Sequence, residues 1–427
     1  MTKTDKNRLH LGKIAIFYII GYVLLALRNP EFDTRAIFMC LGALLLLVSQ
    51  YIAIRTFFID INKPLLISVN MLCAVSLIML YRLEVGLGVK QLIWIYLGMA
   101  VMFITIKLLT DERELEDKYW IYMGIALGLL LLSALFGSTI GGAQNWIKIQ
   151  SLGISIQPSE FAKILIVFAI SSVFCKKQKF SVYVIGVVFT MISILLLVLT
   201  RDLGAALLYF LVFLFIFYAA KSSAWLTLSA FAAFAVAAYI SYFLFSHVQV
   251  RVDAWLNPWS DPNNRGYQII QGLTSLVSGG AFGSGLGIGS PRYVPAYDTD
   301  YIFTAINEEM GTIMGILLIG LYVVIAYEGI KIAFKQKRSF YALISFGAVS
   351  LISIQTFIIL GGILRVIPLT GITLPFVSYG GSSIIVSFIL MGIIQAVGFR
   401  NAEVEIEGDF EEEFEEEVED EIEEDEE

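Results

Sequence analysis

The 427-residue sequence is 58% hydrophobic and 15% charged, with a mean hydropathy of +0.79, which excludes an ordinary soluble globular domain. Its formal net charge of −8 divides unevenly: 18 of the 37 acidic residues lie from Glu403 onward, leaving 19 acidic against 29 basic residues, net +10, in the rest. Three cysteines and two histidines, His10 and His247, offer no disulfide framework and argue against a histidine-built metal site or a Ser-His-Asp triad.

Apolar runs long enough to cross a bilayer, roughly 20 residues each, centre on 14–27, 37–54, 65–80, 92–106, 119–136, 161–175, 181–199, 205–220, 224–246, 303–327, 340–363 and 382–398. The expected fold is therefore an all-α polytopic membrane protein of about twelve spans. No small-residue cleavage site follows the first run, which is expected to stay as a helix. With the N-terminus inside, 18 of the 29 Lys and Arg fall in inside segments, as the bias of cytoplasmic loops toward basic residues requires. Both termini are then cytoplasmic, and the long connection 247–301 faces the outside, as does the loop from Gly137 to Glu160.

The polar positions follow in chain order. "IGGAQNWIKIQSLGISIQPSEFAKI" places Trp146, Gln157, Glu160 and Lys163 around the entry to the sixth span. Glu160 and Lys163, three apart, could simply form an ion pair, and Trp146 could sit in an interfacial aromatic belt. Asp202 in "TRDLGAAL" begins the eighth span and suits a helix cap. The Gly-rich "LVSGGAFGSGLGIGSP" suggests tight backbone turns against a partner or ligand, and no Gly-Lys-Ser/Thr follows to make it a P-loop.

"AYDTDYIFTAINEEMG" then sets two aspartates and two glutamates at a membrane entry. A helix starting near Thr299 would align Asp300, Thr304, Asn307 and Glu308 as one polar stripe, with Glu308 about 12 Å below Asp300. Two readings stay open: helix capping plus ion pairs between helices, or a general base at the mouth of a cavity. "IPLTGITLPFVSYGGSS" is polar, Pro- and Gly-interrupted backbone, tolerated at depth only against protein or a wet cavity. From Glu403 the acidic tail reads as a solvated, disordered extension, although Phe410, Phe414, Val418 and Ile422 would form a stripe if a basic cytoplasmic partner neutralised it.

Together "GAQNWIKI", "QPSEFAKI", "RDLGAAL", "LNPWSDPNNRGYQIIQGLTSLVSGGAFGSGLGIG", "DTDYIFTAINEEMG" and "IPLTGITLPFVSYGGSS" resemble, in order, the SEDS family of shape, elongation, division and sporulation proteins. The resemblance spans about Leu65 to Gly398 and implies a bacterial plasma-membrane enzyme, a peptidoglycan glycosyltransferase that polymerises lipid II outside the membrane with a class B penicillin-binding protein. It maps the family's proposed catalytic base onto Asp300 rather than Asp298. Asp300 would take the proton of the acceptor GlcNAc 4-hydroxyl as it attacks the donor's anomeric carbon, inverting it and releasing undecaprenyl pyrophosphate. Lys163 and Arg251 are expected at the pyrophosphate, with Trp146, Gln157, Glu160, Asp202, Glu308, Ser378 and Ser382 completing the substrate site. A divalent cation is compatible with this chemistry, but no ligand set is legible, and no nucleic-acid partner is expected.

The chain departs from the family pattern in carrying twelve runs instead of ten, in having Thr200 and Arg201 where Gln-Pro is common, and in having Leu360 where Asn is frequent. The expected organisation is 1–64 as an N-terminal segment with two extra helices, 65–400 as the core and 401–427 as the tail. Two rivals are a lipid II flippase and a non-catalytic scaffold for a penicillin-binding protein. A flippase needs polar groups through the whole membrane, and a scaffold should tolerate loss of Asp300.

Overall fold

The computed structural model describes residues 3–28, 32–112, 114–140, 143–149 and 154–401. The acidic tail, with the apolar stripe expected in it, lies outside the described residues. The first nine helices are α1 (Lys3–Arg28), α2 (Thr34–Phe57), α3 (Lys63–Leu83), α4 (Val85–Asp111), α5 (Tyr119–Phe136), α6 (Pro158–Phe174), α7 (Phe180–Leu199), α8 (Leu203–Lys221) and α9 (Ala224–Leu244). Two shorter helices, α10 (Ser246–Leu256) and α11 (Tyr267–Ser278), occupy the long connection, and α12 (Ile302–Lys335), α13 (Ser339–Ile363) and α14 (Gly381–Asn401) complete the bundle.

Among the described residues, eleven helices are long and apolar enough to cross a membrane. The twelfth expected span is α6, whose 17 residues sit at the short end of the spanning range of roughly 17–25. α3, α13 and α14 form the interior of the bundle, whereas α9 carries no buried residue. The sequence did not foretell the antiparallel sheet of β1 (Ser138–Ile140), β2 (Ala143–Ile149) and β3 (Ile154–Ile156), with β2 central. It carries Trp146 to the end of the bundle where α6, α8 and α12 begin.

Two interruptions of helical backbone shape that end. α12 breaks at Gly311 (φ 86°), where a Cβ would collide with the Ala281 carbonyl. The break frees backbone groups that hydrocarbon cannot satisfy, and the Gly-rich loop takes them: Thr312 and Ile313 N–H donate to Gly280 and Ala281 carbonyls at 3.0 and 3.2 Å, while Ser284 and Gly285 N–H donate to Glu308 and Glu309 carbonyls at 2.8 and 3.1 Å. The partner of the Gly-rich stretch is thus the chain's own helix. The second interruption, residues 364–380, is held by protein donors, with Tyr322 Oη donating to the Pro375 carbonyl at 2.6 Å, Ser76 Oγ to Val377 at 2.7 Å and Gln91 Nε2 to Ser378 at 3.2 Å.

The expected orientation makes a labelling prediction. In a background lacking Cys40, Cys73 and Cys175, Asn263→Cys should react with an impermeant maleimide added to intact cells, and Lys337→Cys should react only after permeabilisation. The reverse pattern would reject the topology. Gly266 is unsuitable as a label site because a Cβ there would meet the Pro258 carbonyl.

Candidate functional site

A cavity of about 270 Å³ opens at this end of the bundle, walled by β2, the starts of α6 and α8, α10, the turn before α12, and the 364–380 segment. Trp146, Gln157, Glu160, Lys163, Asp202, Arg251 and Asp300, seven of the ten residues expected at the site, line it together.

Each is positioned by local chemistry. Pro158 at the first position of α6 suits a helix start, and the first two turns bring Glu160 and Lys163 to the cavity. Lys163 is 2% exposed; its Nζ donates to Glu160 Oε2 at 2.7 Å and to Gln355 Oε1 at 2.9 Å. Gln355 in turn donates to the Thr373 carbonyl at 2.8 Å, tying α6 through α13 to the interrupted segment. Asp202 caps α8 by accepting from Ala205 N–H at 3.1 Å, and it also accepts from Asn145 Nδ2 at 2.5 Å and Gln157 Nε2 at 3.3 Å. The expected ion pair and the expected cap are both present, and both stand in the cavity wall.

Asp300 precedes α12 in a turn that Ala296 opens with a left-handed φ of 56°. Among the described residues no protein group donates a hydrogen bond to its carboxylate. Burial pushes its pKa up to about 7, with Asp298 pushing the same way and Arg251 pulling it down. Oδ2 faces Gly371, also left-handed (φ 77°), where an added Cβ would lie 3.6 Å from it. Arg251 is held by donation from Nη1 to the Thr370 carbonyl at 2.9 Å and carries the electrostatic link between Asp202 and Asp300. Asp298 does not line the cavity; its backbone carbonyl accepts from Tyr379 N–H at 2.9 Å. The buried hydroxyls of Ser159 and Thr370, without a hydrogen-bond partner among the described residues, also stand in the wall.

Three expected residues lie elsewhere. Glu308 is the correction: it accepts from Ser275 Oγ and Ser290 N–H, both at 2.6 Å, and anchors the Gly-rich loop. The expected stripe fails because α12 starts at Ile302, not near Thr299, and a bent turn separates Asp300 from the helix. Glu309 pairs with Arg82 at 2.6 Å on that same side. Ser378 and Ser382 support the wall from behind. Ser378 Oγ donates to the Thr299 carbonyl at 2.7 Å, and Ser382 Oγ accepts from Gln157 N–H at 3.1 Å.

Among the wall residues not expected from sequence are Arg201 and Gln355. Gln355 had a signal, a lone amide in the apolar run "LISIQTFIIL", since a polar group at membrane depth calls for a partner. Arg201 had none, because its place depends on a left-handed turn (φ 62°). Among the described residues no three His, Cys, Asp or Glu side chains group as a metal set. The cations facing the cavity are Lys163, Arg201 and Arg251.

A family model for the cell cycle proteins FtsW, RodA and SpoVE matches residues 63–402, starting at the first residue of α3. The peptidoglycan glycosyltransferase RodA of Mycobacterium bovis is 35% identical over 387 residues, covering 84% of this chain and 82% of that protein. The protein named "Probable peptidoglycan glycosyltransferase FtsW" of Wigglesworthia glossinidia brevipalpis is 33% identical over 322 residues, covering 73% and 83%. A chain solved in work on structural coordination of polymerization and crosslinking by a peptidoglycan synthase complex superposes with a TM-score of 0.66 at 24% identity, over 80% of this chain and 98% of its own. That superposition establishes a shared fold.

Proposed function

The chain belongs to the cell cycle protein family of FtsW, RodA and SpoVE, and from that premise we propose that it is a multi-pass bacterial membrane glycosyltransferase that polymerises lipid II on the outer face, with Asp300 as the catalytic base. The observation that carries the assignment is the half-buried Asp300 carboxylate in the wall of a cavity that also holds three cations, where burial raises its pKa to about 7.

A base poised near the working pH serves proton abstraction best. Asp300 accepts the proton of the acceptor GlcNAc 4-hydroxyl as that oxygen bonds to the donor's anomeric carbon. The bond from that carbon to the pyrophosphate oxygen breaks, and the leaving undecaprenyl pyrophosphate keeps the electron pair. Lys163, Arg201 and Arg251 compensate its charge, which is the other half of the barrier. A volume of about 270 Å³ is near the lower limit for small-ligand sites, roughly 300–1,000 Å³. The cavity therefore seats the reacting centre and leaves most of donor and acceptor outside.

Residues 65–400 form the catalytic core, 1–64 an addition and 401–427 an appendage. The crosslinking partner is a class B penicillin-binding protein, a transpeptidase whose substrate is the glycan strand made here. Support comes from the structural neighbour, described as belonging to a complex that coordinates polymerization with crosslinking.

A pH profile tests the base. Asp300 must be deprotonated to act, so polymerisation should fall as pH drops through about 7 and level off above it. Asp298→Asn removes a charge that pushes the Asp300 pKa up, so its midpoint should move to lower pH. A profile flat from pH 5 to 9, or a midpoint that rises in the variant, would contradict the assignment.

A further inference from the structure

A second cavity, about 570 Å³, lies at the opposite end of the bundle, between α1, α2 and the start of α3. α1 packs against both α2 and α3, and at mid-depth α2 and α3 are joined by Asn70 Nδ2 donating to Gln50 Oε1 at 2.7 Å. The cavity occupies the space between that bond and the helix ends at Phe57 and Lys63. Seven residues of helix separate the two levels, a depth of about 10 Å.

Its walls are apolar, with Leu11, Ile54 and Ile67 among them, and its rim is charged by Arg55, Lys63 and Asp60. Among the described residues neither Arg55 nor Lys63 has an ion pair or a side-chain hydrogen bond. The described residues of the rim thus carry a net charge of +1, the complement of one phosphodiester, beside a largely apolar space that an acyl chain would fill favourably. We propose that this cavity binds an anionic glycerophospholipid from the cytoplasmic leaflet, its phosphate between Arg55 and Lys63 and its acyl chains along α1, α2 and α3. The lipid completes the seam that joins the two additional helices to the core. Basic pockets between spanning helices on the cytoplasmic side have this recognition chemistry.

The test does not depend on the reaction proposed for Asp300, which lies at the other end of the membrane. The full-length protein is placed in nanodiscs of equal phosphatidylglycerol and phosphatidylcholine, extracted into mild detergent, and its retained lipid identified by native mass spectrometry. Wild type should retain one phosphatidylglycerol in preference to phosphatidylcholine. Retention should weaken about fivefold for each basic residue neutralised and so be lost in Arg55→Gln/Lys63→Gln. The charge-conserving Arg55→Lys/Lys63→Arg should keep it, as should Lys107→Gln/Lys331→Gln, which removes lysines outside the cavity. Equal retention of both lipids, wild-type retention by Arg55→Gln/Lys63→Gln, or the same loss in Lys107→Gln/Lys331→Gln would each overturn the assignment.

Discussion

Asp300→Asn should lower lipid II polymerisation by about 10²- to 10⁴-fold, the range that a positioned general base contributes, while Asp298→Asn keeps it within about tenfold. Asparagine preserves the shape of the carboxylate, and a base near half-protonation at pH 7 carries about half a negative charge, so substitution removes the proton acceptor with a smaller change in the cavity's charge than loss of a fully ionised carboxylate would bring. Asp298 reaches the site by its charge on Asp300 and on Tyr379, and by its backbone contact with Tyr379, which asparagine retains. Equal losses in both variants, with each still folded by thermal melting, would undermine the choice of Asp300.

Lys163→Met should have the second large effect. Its ammonium is buried between Glu160 and Gln355, and removing one partner of a buried ion pair costs about 3–5 kcal/mol. The double variant Glu160→Gln/Lys163→Met removes both charges and should recover most of that stability. If Lys163 also compensates the departing pyrophosphate, activity stays low in the double variant although the fold returns. Recovery of activity together with stability would reduce Lys163 to a structural pair and leave Arg201 and Arg251 to meet the leaving group.

How much of this was legible in sequence depends on the length scale of each signal. The spans were readable because an unbroken run of about twenty apolar residues suits a bilayer and little else, and all twelve expected runs correspond to helices. Seven of the ten expected residues meet in one cavity: Gln157, Glu160, Lys163 and Asp202 lie at helix starts, where capping and Pro158 fix direction, whereas Trp146 on β2, Arg251 in α10 and Asp300 in the turn before α12 were expected there from the family resemblance. Glu308 departs from the expected stripe because residues 296–301 form a turn and not helix; the left-handed Ala296 and the start of α12 at Ile302 leave no periodic trace. The stitching of the Gly-rich loop into the break at Gly311 was equally hidden. It is a pairing of backbones distant in the chain, and only the glycines themselves hinted that something approached closely.

The central claim meets its most direct test in lipid II polymerisation by the purified protein, with and without a cognate class B penicillin-binding protein. Glycan strands from the protein alone or with its partner are the result expected. No strands under either condition, together with lipid II movement across vesicles holding the same preparation, would contradict it in favour of a transporter.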